Sequence, residues 1–377
     1  MASLALVGTG WHSRLFREEI SALVGDIEIL HPRIVSCENK RDTIHKLGRS
    51  SLLDEVLIMG GNSLLPSSSK SQVDLCEKIG EWALESMEEG DFAVRARKIG
   101  DLPDSISSRI FENAVGRVVS ANGRKVDLEK PSNEIVIVIA GSNDRTSHPD
   151  PFNPGEVMIT WGLKEGRWSK QDFSGRSPTE RPYFKPISLE PRQARLLISL
   201  ASIPGRDEPL VIDPFCGTGG IAIEAALQDF QVLASDLDSR MVDGTKQNLN
   251  WAGKECTVER WDASNLSELW GSREGCAFVF DPPYGRSSWK SDDSVEIFLS
   301  VLNEAMKIDP RGVVSTMLPA GPDILDSESP GDSFVMGRKW SELMKEINGI
   351  GWKVSLFCPI RVHRSLVRVI VVCHPSD

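Results

Sequence analysis

Four stretches in the second half of the 377-residue chain combine residue types that chemistry needs. Val211-Ile212-Asp213-Pro214-Phe215-Cys216-Gly217-Thr218-Gly219-Gly220 sets a glycine-rich turn between an apolar run and a helical pattern. Backbone bare of side chains lets a ligand approach the carboxyl end of a strand closely. A tight strand-to-helix turn with no ligand is the other reading of the same glycines. The next apolar run ends in Ala234-Ser235-Asp236-Leu237-Asp238. At that spacing, some twenty residues on, a carboxylate can accept from both ribose hydroxyls of a nucleoside cofactor. Either aspartate could instead cap the following helix, and the two roles are compatible, with Asp238 capping and Asp236 binding. Trp261-Asp262-Ala263 closes the third run, where Asp262 either accepts from an adenine amino group or stands in a solvated turn.

The fourth run ends in Asp281-Pro282-Pro283-Tyr284, the sharpest signal in the chain. Consecutive prolines hold the backbone extended and remove two N–H donors, which leaves the Pro282 carbonyl to accept. An ionised Asp281 beside it completes a pair of acceptors aimed at one amino group, and the Tyr284 ring offers a face on which a flat base stacks. A rigid strand exit would explain the prolines alone; three preceding strand-end signals favour amino-group chemistry. A base inside a helix cannot reach such a site, so the substrate base is flipped or already unstacked.

Elements of a particular kind must position these residues. From Leu210 onward apolar runs alternate with helical patterns, which predicts a parallel, doubly wound α/β sheet. Two terminal strands, Val354 to Phe357 and Val367 to Val372, predict an added antiparallel edge. Residues 1–66 read as strand, amphipathic helix, strand and a further helix over Ile44 to Ile58. The Pro66 and serine stretch marks a boundary, and residues 67–162 follow as a second α+β unit: helix Val73 to Met87, strand Phe92 to Arg97, helix Ser108 to Val119 and buried strand Ile135 to Ala140. Residues 163–185 read as a linker, and 186–377 as the sheet-bearing domain.

Composition narrows the function classes. Apolar residues make up 40% and charged residues 26%, the balance of a chain that builds sizeable cores. No signal peptide or membrane-length apolar run is read, which predicts a cytoplasmic protein. The seven cysteines are scattered with no metal-ligand spacing, so they are expected as reduced thiols and no metal is expected. A net charge of -11 argues against a non-specific nucleic-acid coat, although basic residues outnumber acidic ones from Lys164 to Arg195.

The glycine turn, Asp236 and DPPY together resemble the Rossmann-type methyltransferases. Gly90-Asp91-Phe92-Ala93-Val94-Arg95 and Val126 to Ile135 look like the THUMP RNA-binding module, which in such enzymes follows an N-terminal ferredoxin-like unit. Arg181 to Pro191 resembles the segment ahead of their cofactor loop, and Arg361 to Arg368 their C-terminal hairpin. The resemblance covers about residues 70–377 and is strongest to the archaeal tRNA guanine-10 amino methyltransferases. It implies an α/β chain in which α+β ferredoxin-like and THUMP units precede a Rossmann-like domain. The implied cofactor is S-adenosyl-L-methionine, the implied partner tRNA, and a small activating subunit is admitted. Asp281, Pro282 and Tyr284 take the catalytic places. Asp213, Phe215, Gly217, Thr218, Gly219, Gly220, Asp236, Leu237, Asp262, Ala263 and Asp281 take the cofactor places. Arg95, Arg97, Arg176, Arg181, Lys185, Arg192 and Arg364 are assigned to RNA.

DPPY also serves adenine amino methylation in DNA or RNA, and the RNA-binding resemblance upstream favours guanine in tRNA over it. THUMP-containing thiolation proteins would need an SGGxD loop, which the sequence lacks. A non-catalytic RNA-binding protein with a retained methyltransferase fold is opposed by the intact DPPY and GTGG.

Overall fold

A computed structural model describes residues 3–8, 11–141, 156–186, 188–203, 206, 208–283, 292–325, 330–363 and 366–376. The chain separates into two compact units, Met1–Gly48 with Leu52–Gln171, and Arg49–Ser51 with Asp172–Asp377. Among the described residues no helix is long and apolar enough to cross a membrane.

The first unit runs β1 (Ser3–Val7), α1 (Ser13–Val24), β2 (Glu28–His31), β3 (Ile34–Glu38), α2 (Thr43–Leu47), β4 (Glu55–Leu64), α3 (Ser69–Ser86), β5 (Phe92–Ile99), α4 (Ser108–Ala121), β6 (Asn133–Ala140) and β7 (Met158–Lys164). Its strands form one sheet in the order β2-β3-β1-β4-β7-β6-β5. The helix expected over Ile44 to Ile58 is instead the short α2 followed by β4. Gly48 closes α2. The segment after Asp54 then pairs with β1 on one side and β7 on the other, and pairing on both edges outweighs a helical apolar spacing. β4 thereby joins residues before and after Pro66 into the same sheet, with Leu57 opposite Lys164 and Leu64 opposite Met158. β6 is buried on both faces, Ile135, Ile137 and Ile139 toward one cluster and Val136, Val138 and Ala140 toward another, as its continuous apolar run requires.

β4 passes through Gly60 and Gly61 because indole rings lie where side chains would be. A Cβ on Gly60 would stand 2.6 Å from the Trp82 ring and 2.7 Å from that of Trp161. Gly60→Ala is therefore expected to destabilise the first unit by about 1–3 kcal/mol through overpacking. Urea unfolding checks this, and an unchanged midpoint would show that the rings shift without cost.

The second unit runs α5 (Pro191–Leu200), β8 (Leu210–Asp213), α6 (Gly220–Ala226), β9 (Val232–Asp236), α7 (Ser239–Trp251), β10 (Thr257–Arg260), α8 (Leu266–Trp270), β11 (Cys276–Phe280), α9 (Asp292–Ile308), β12 (Val313–Ala320), β13 (Phe334–Val335), β14 (Arg338–Lys339), α10 (Trp340–Ile350), β15 (Trp352–His363) and β16 (Leu366–Pro375). β10, β9, β8, β11 and β12 are parallel neighbours in that order. β16 then pairs antiparallel with β12, and β15 antiparallel with β16. The chain winds outward in both directions from β8, so a crevice opens beyond the carboxyl ends of β8 and β11. Phe278 and Phe280 of β11 pack with Phe298 and Leu302 of α9 and with Val367, Val369 and Val371 of β16 in one core. That core fixes where β11 ends, and with it the position of Asp281.

Candidate active site

The crevice holds a cavity of about 580 Å³. Its lining includes Asp213, Phe215, Gly217, Thr218 and Gly220 from the glycine turn, Asp236 and Leu237 after β9, Asp262 and Ala263 after β10, and Asp281 and Pro282 after β11. The structure therefore brings together nearly all the residues expected to hold the cofactor and the target amino group. Gly219 is the remaining member of the turn; it opens α6 with a left-handed backbone at φ 83°, and Gly217 has φ 52°. A side chain is strained at such angles. Tyr284 and Arg364 lie outside the described residues.

Hydrogen bonds hold the turn from three sides. The Asp236 carboxylate accepts from Gly217 N at 3.0 Å and from Asp238 N at 2.9 Å. Asp238 in turn caps α7 by accepting from Arg240 N at 2.9 Å, the capping role its position suggested. Two polar residues on the buried face of α7 complete the frame. Thr245 Oγ1 donates to Gly217 O at 2.9 Å. Asn248 Nδ2 donates to Thr218 O and to Tyr183 O, each at 2.8 Å, while Asn248 Oδ1 accepts from Tyr183 N at 2.9 Å. Neither residue was singled out from the sequence. Their signal was present: polar side chains at i and i+3, interleaved with the buried apolar Val242 and Leu249.

Carboxylates dominate the electrostatics. Burial pushes the Asp213 carboxyl well above the usual carboxylate range; a hydrogen bond from Phe215 N opposes this, and the neighbouring Asp236 and Asp281 reinforce it. Burial also raises Asp236, against the N–H groups of Asp238 and Gly217 that favour its charged form. A carboxyl raised on folding stabilises the protein fully below its unfolded value, here 3.8, and the benefit is lost as pH rises through the folded value. Asp213→Asn should remove this loss. Wild-type melting temperature is expected to fall by up to about 3–5 °C per pH unit above 3.8, over the range in which the unfolded chain has lost the Asp213 proton and the folded protein keeps it. The variant should fall less as pH rises above 3.8, and parallel curves in calorimetry would dismiss Asp213 as the source.

Asp281 is met from the far side of β12. Arg368 Nη1, on β16, donates to Asp281 Oδ2 at 3.0 Å and lies 3.4 Å from Met317 Sδ. Phe215 packs edge-on against Phe280 with ring centroids 5.8 Å apart, which locks the glycine turn to the end of β11.

The basic residues assigned to RNA separate into different environments. Arg181 is corrected: it is 4% exposed, with Nε and Nη2 donating to Arg176 O at 3.3 Å, and its burial leaves no surface for a phosphate. Arg176 Nε donates to Glu224 Oε1 at 3.0 Å, and Arg195 Nη2 pairs with Glu224 Oε2 at 3.1 Å. Glu224 is a fully buried carboxylate on α6, and such a group requires cations around it. Part of the basic stretch from Lys164 to Arg195 is thus spent inside the fold. Arg192 lies over the Phe173 ring at 5.5 Å. Lys185 stands 5.6 Å from the Tyr183 ring centre and lines the cavity. In the first unit Arg95 donates to Leu128 O, and Arg97 pairs with Glu55 at 3.0 Å.

The donor set fits a nucleoside carrying a positive charge. The glycine-rich turn, the acceptor carboxylate of Asp236 and the apolar side chains of Leu237, Met241 and Ile297 line one space together with Asp213 and Asp281. An RMKL-like methyltransferase domain model matches residues 178–325, the stretch that supplies nearly all of this lining. The tRNA (guanine(10)-N2)-dimethyltransferase of Methanothermobacter thermautotrophicus is 36% identical over 285 residues, covering 74% of this chain and 72% of that protein. The enzyme of the same name from Pyrococcus abyssi is 28% identical over 260 residues, covering 69% of this chain and 72% of that protein. Among solved structures, TrmN from Thermus thermophilus covers 100% of both chains with a TM-score of 0.50 at 20% identity, a likeness of fold.

Proposed function

Because the chain belongs to the tRNA (guanine(10)-N2)-dimethyltransferase family, we propose that it transfers methyl groups from S-adenosyl-L-methionine to the exocyclic amino group of a guanine in tRNA. One cavity unites the glycine turn, Asp236 and the Asp281-Pro282 acceptor pair, and that convergence favours amino-group transfer over any other use of the fold. The names of the relatives favour position 10 and two methyl groups.

The cofactor, when bound, supplies an electrophilic methyl on a sulfonium. Asp236 would accept from its ribose hydroxyls, Asp262 from its adenine amino group, and Gly217 to Gly220 would let its methionine end lie against the backbone. The guanine amino nitrogen is a poor nucleophile because its lone pair is delocalised into the ring. Asp281 and the Pro282 carbonyl would accept its two hydrogens and favour a pyramidal nitrogen with an available lone pair, and the Asp281 carboxylate would take the proton that the nitrogen sheds as it gains the methyl. Catalysis is then positioning and preorganised polarity, with no covalent intermediate on the protein. Residues 67–162, as a THUMP-like unit, would hold the RNA by shape and backbone, and Tyr284 would stack the flipped base.

Incubation of unmodified tRNA with the protein and methyl-labelled cofactor, followed by nucleoside analysis, tests the proposal. N2-methylguanosine and N2,N2-dimethylguanosine at position 10 are the expected products. Label in methyladenosine alone would overturn the guanine assignment.

A further inference from the structure

We infer that Arg368 is a positioning residue for methyl transfer: its ion pair with Asp281 fixes one carboxylate oxygen and keeps the group in the charged, accepting form. This rests on the reading of Asp281 as the acceptor for the target amino group.

Arg368 interrupts an otherwise apolar strand. Val367, Val369, Ile370 and Val371 around it are fully buried, and its own side chain is only 12% exposed. β16 lies between β12 and β15, with Arg368 opposite Pro319 on one side and Ile360 on the other. A guanidinium at an inner position of such a strand is costly unless a carboxylate meets it. Arg368 Nη1 reaches past β12 to Asp281 Oδ2 at 3.0 Å. Arg368 also lies beyond residues 178–325 and so outside the matched methyltransferase segment.

Charges around the cavity give the pair its consequence. Among the described residues, Asp281 shares the space with Asp213 at the end of β8, Asp236 and Asp238 at and after the end of β9 and Asp262 after β10, against the cations Lys185 and Arg368. Crowded carboxylates favour protonation of one another. A protonated Asp281 would present an O–H donor and lose part of its accepting capacity toward an amino group that only donates. The guanidinium opposes this, and because it occupies Oδ2 it also sets the plane in which the carboxylate faces the cavity.

The test uses the full chain carrying Arg368→Met, Arg368→Lys, Asp281→Asn, or Asp281→Asn with Arg368→Met. Single-turnover methylation of unmodified tRNA at saturating S-adenosyl-L-methionine is followed from about pH 5.5 to 9. Arg368→Met should slow the reaction about tenfold or more at neutral pH and move the acid limb of the profile up by about one unit or more, as expected on losing an adjacent opposite charge. Arg368→Lys, which retains the charge, should fall between. Cofactor affinity by calorimetry should change less than about threefold, and adding Arg368→Met to Asp281→Asn should cost less than about twofold more, because the arginine acts through that carboxylate. A pH-independent loss of equal size in both backgrounds would overturn the inference and leave Arg368 a packing residue. Near-normal turnover of a folded Asp281→Ala protein in the same assay would instead remove the acceptor reading of Asp281.

Discussion

Asp281→Ala is expected to lower single-turnover methylation of tRNA by about 100-fold or more, the scale on which losing one preorganised polar partner acts. Affinity for S-adenosyl-L-methionine should change far less, because the carboxylate faces the reacting amino group whereas Asp236 holds the ribose. The ion pair with Arg368 adds a second consequence. Removing the carboxylate takes away the 3.0 Å ion pair of a largely buried guanidinium, so the alanine variant should also melt lower. Asp281→Asn keeps the shape and one acceptor oxygen but not the charge, so it separates the effects: a smaller loss of melting temperature than alanine, and turnover between those of alanine and the unsubstituted protein. Rapid-quench measurement with labelled cofactor, beside calorimetric melting, reads both. A folded Asp281→Ala protein with near-normal turnover would refute the mechanism.

Asp236→Ala should weaken S-adenosyl-L-methionine by at least about tenfold, since hydrogen bonds to a charged acceptor contribute roughly 1.5–3 kcal/mol each and about 1.4 kcal/mol is one decade of affinity. The structure enlarges the expectation. The same carboxylate accepts from Gly217 N and Asp238 N, so its loss also releases the turn against which the cofactor lies. Asp236→Asn retains an acceptor oxygen and should be the milder variant. Isothermal titration of both variants provides the comparison, and an Asp236→Ala protein that binds with wild-type affinity would sink the ribose assignment.

Much of the second unit was legible before any coordinates. β8, β9 and β11 are short, largely apolar runs that end in or beside aspartate, and that punctuation locates the carboxyl ends where Asp213, Asp236 and Asp281 stand, whereas β10, which leads to Asp262, is a polar edge strand. Local rules suffice there because a parallel strand buried on both faces must be apolar throughout. They failed at Ile44 to Ile58, where a helical spacing competes with sheet edges supplied by β1 and by β7, about a hundred residues further along the chain. Strand formation is a property of the pair, and no window of sequence contains both partners.

The sequence by itself determined the kind of site: the glycine turn, the acidic strand ends and DPPY are contiguous motifs whose residue types already specify a nucleoside pocket beside an amino-group acceptor. Only the tertiary structure decided which charges face that pocket. Arg176, read as an RNA contact, turns inward with Arg195 to neutralise Glu224, which is buried on α6, while Arg181 is buried with its Nε and Nη2 on Arg176 O. Arg368, one basic residue among several near the C-terminus, reaches Asp281 because β16 inserts beside β12 and brings positions 87 residues apart into hydrogen-bonding distance. Charge pairing depends on distances of a few ångströms in a low-dielectric interior, and those distances are set by strand order and register, which composition and spacing do not encode.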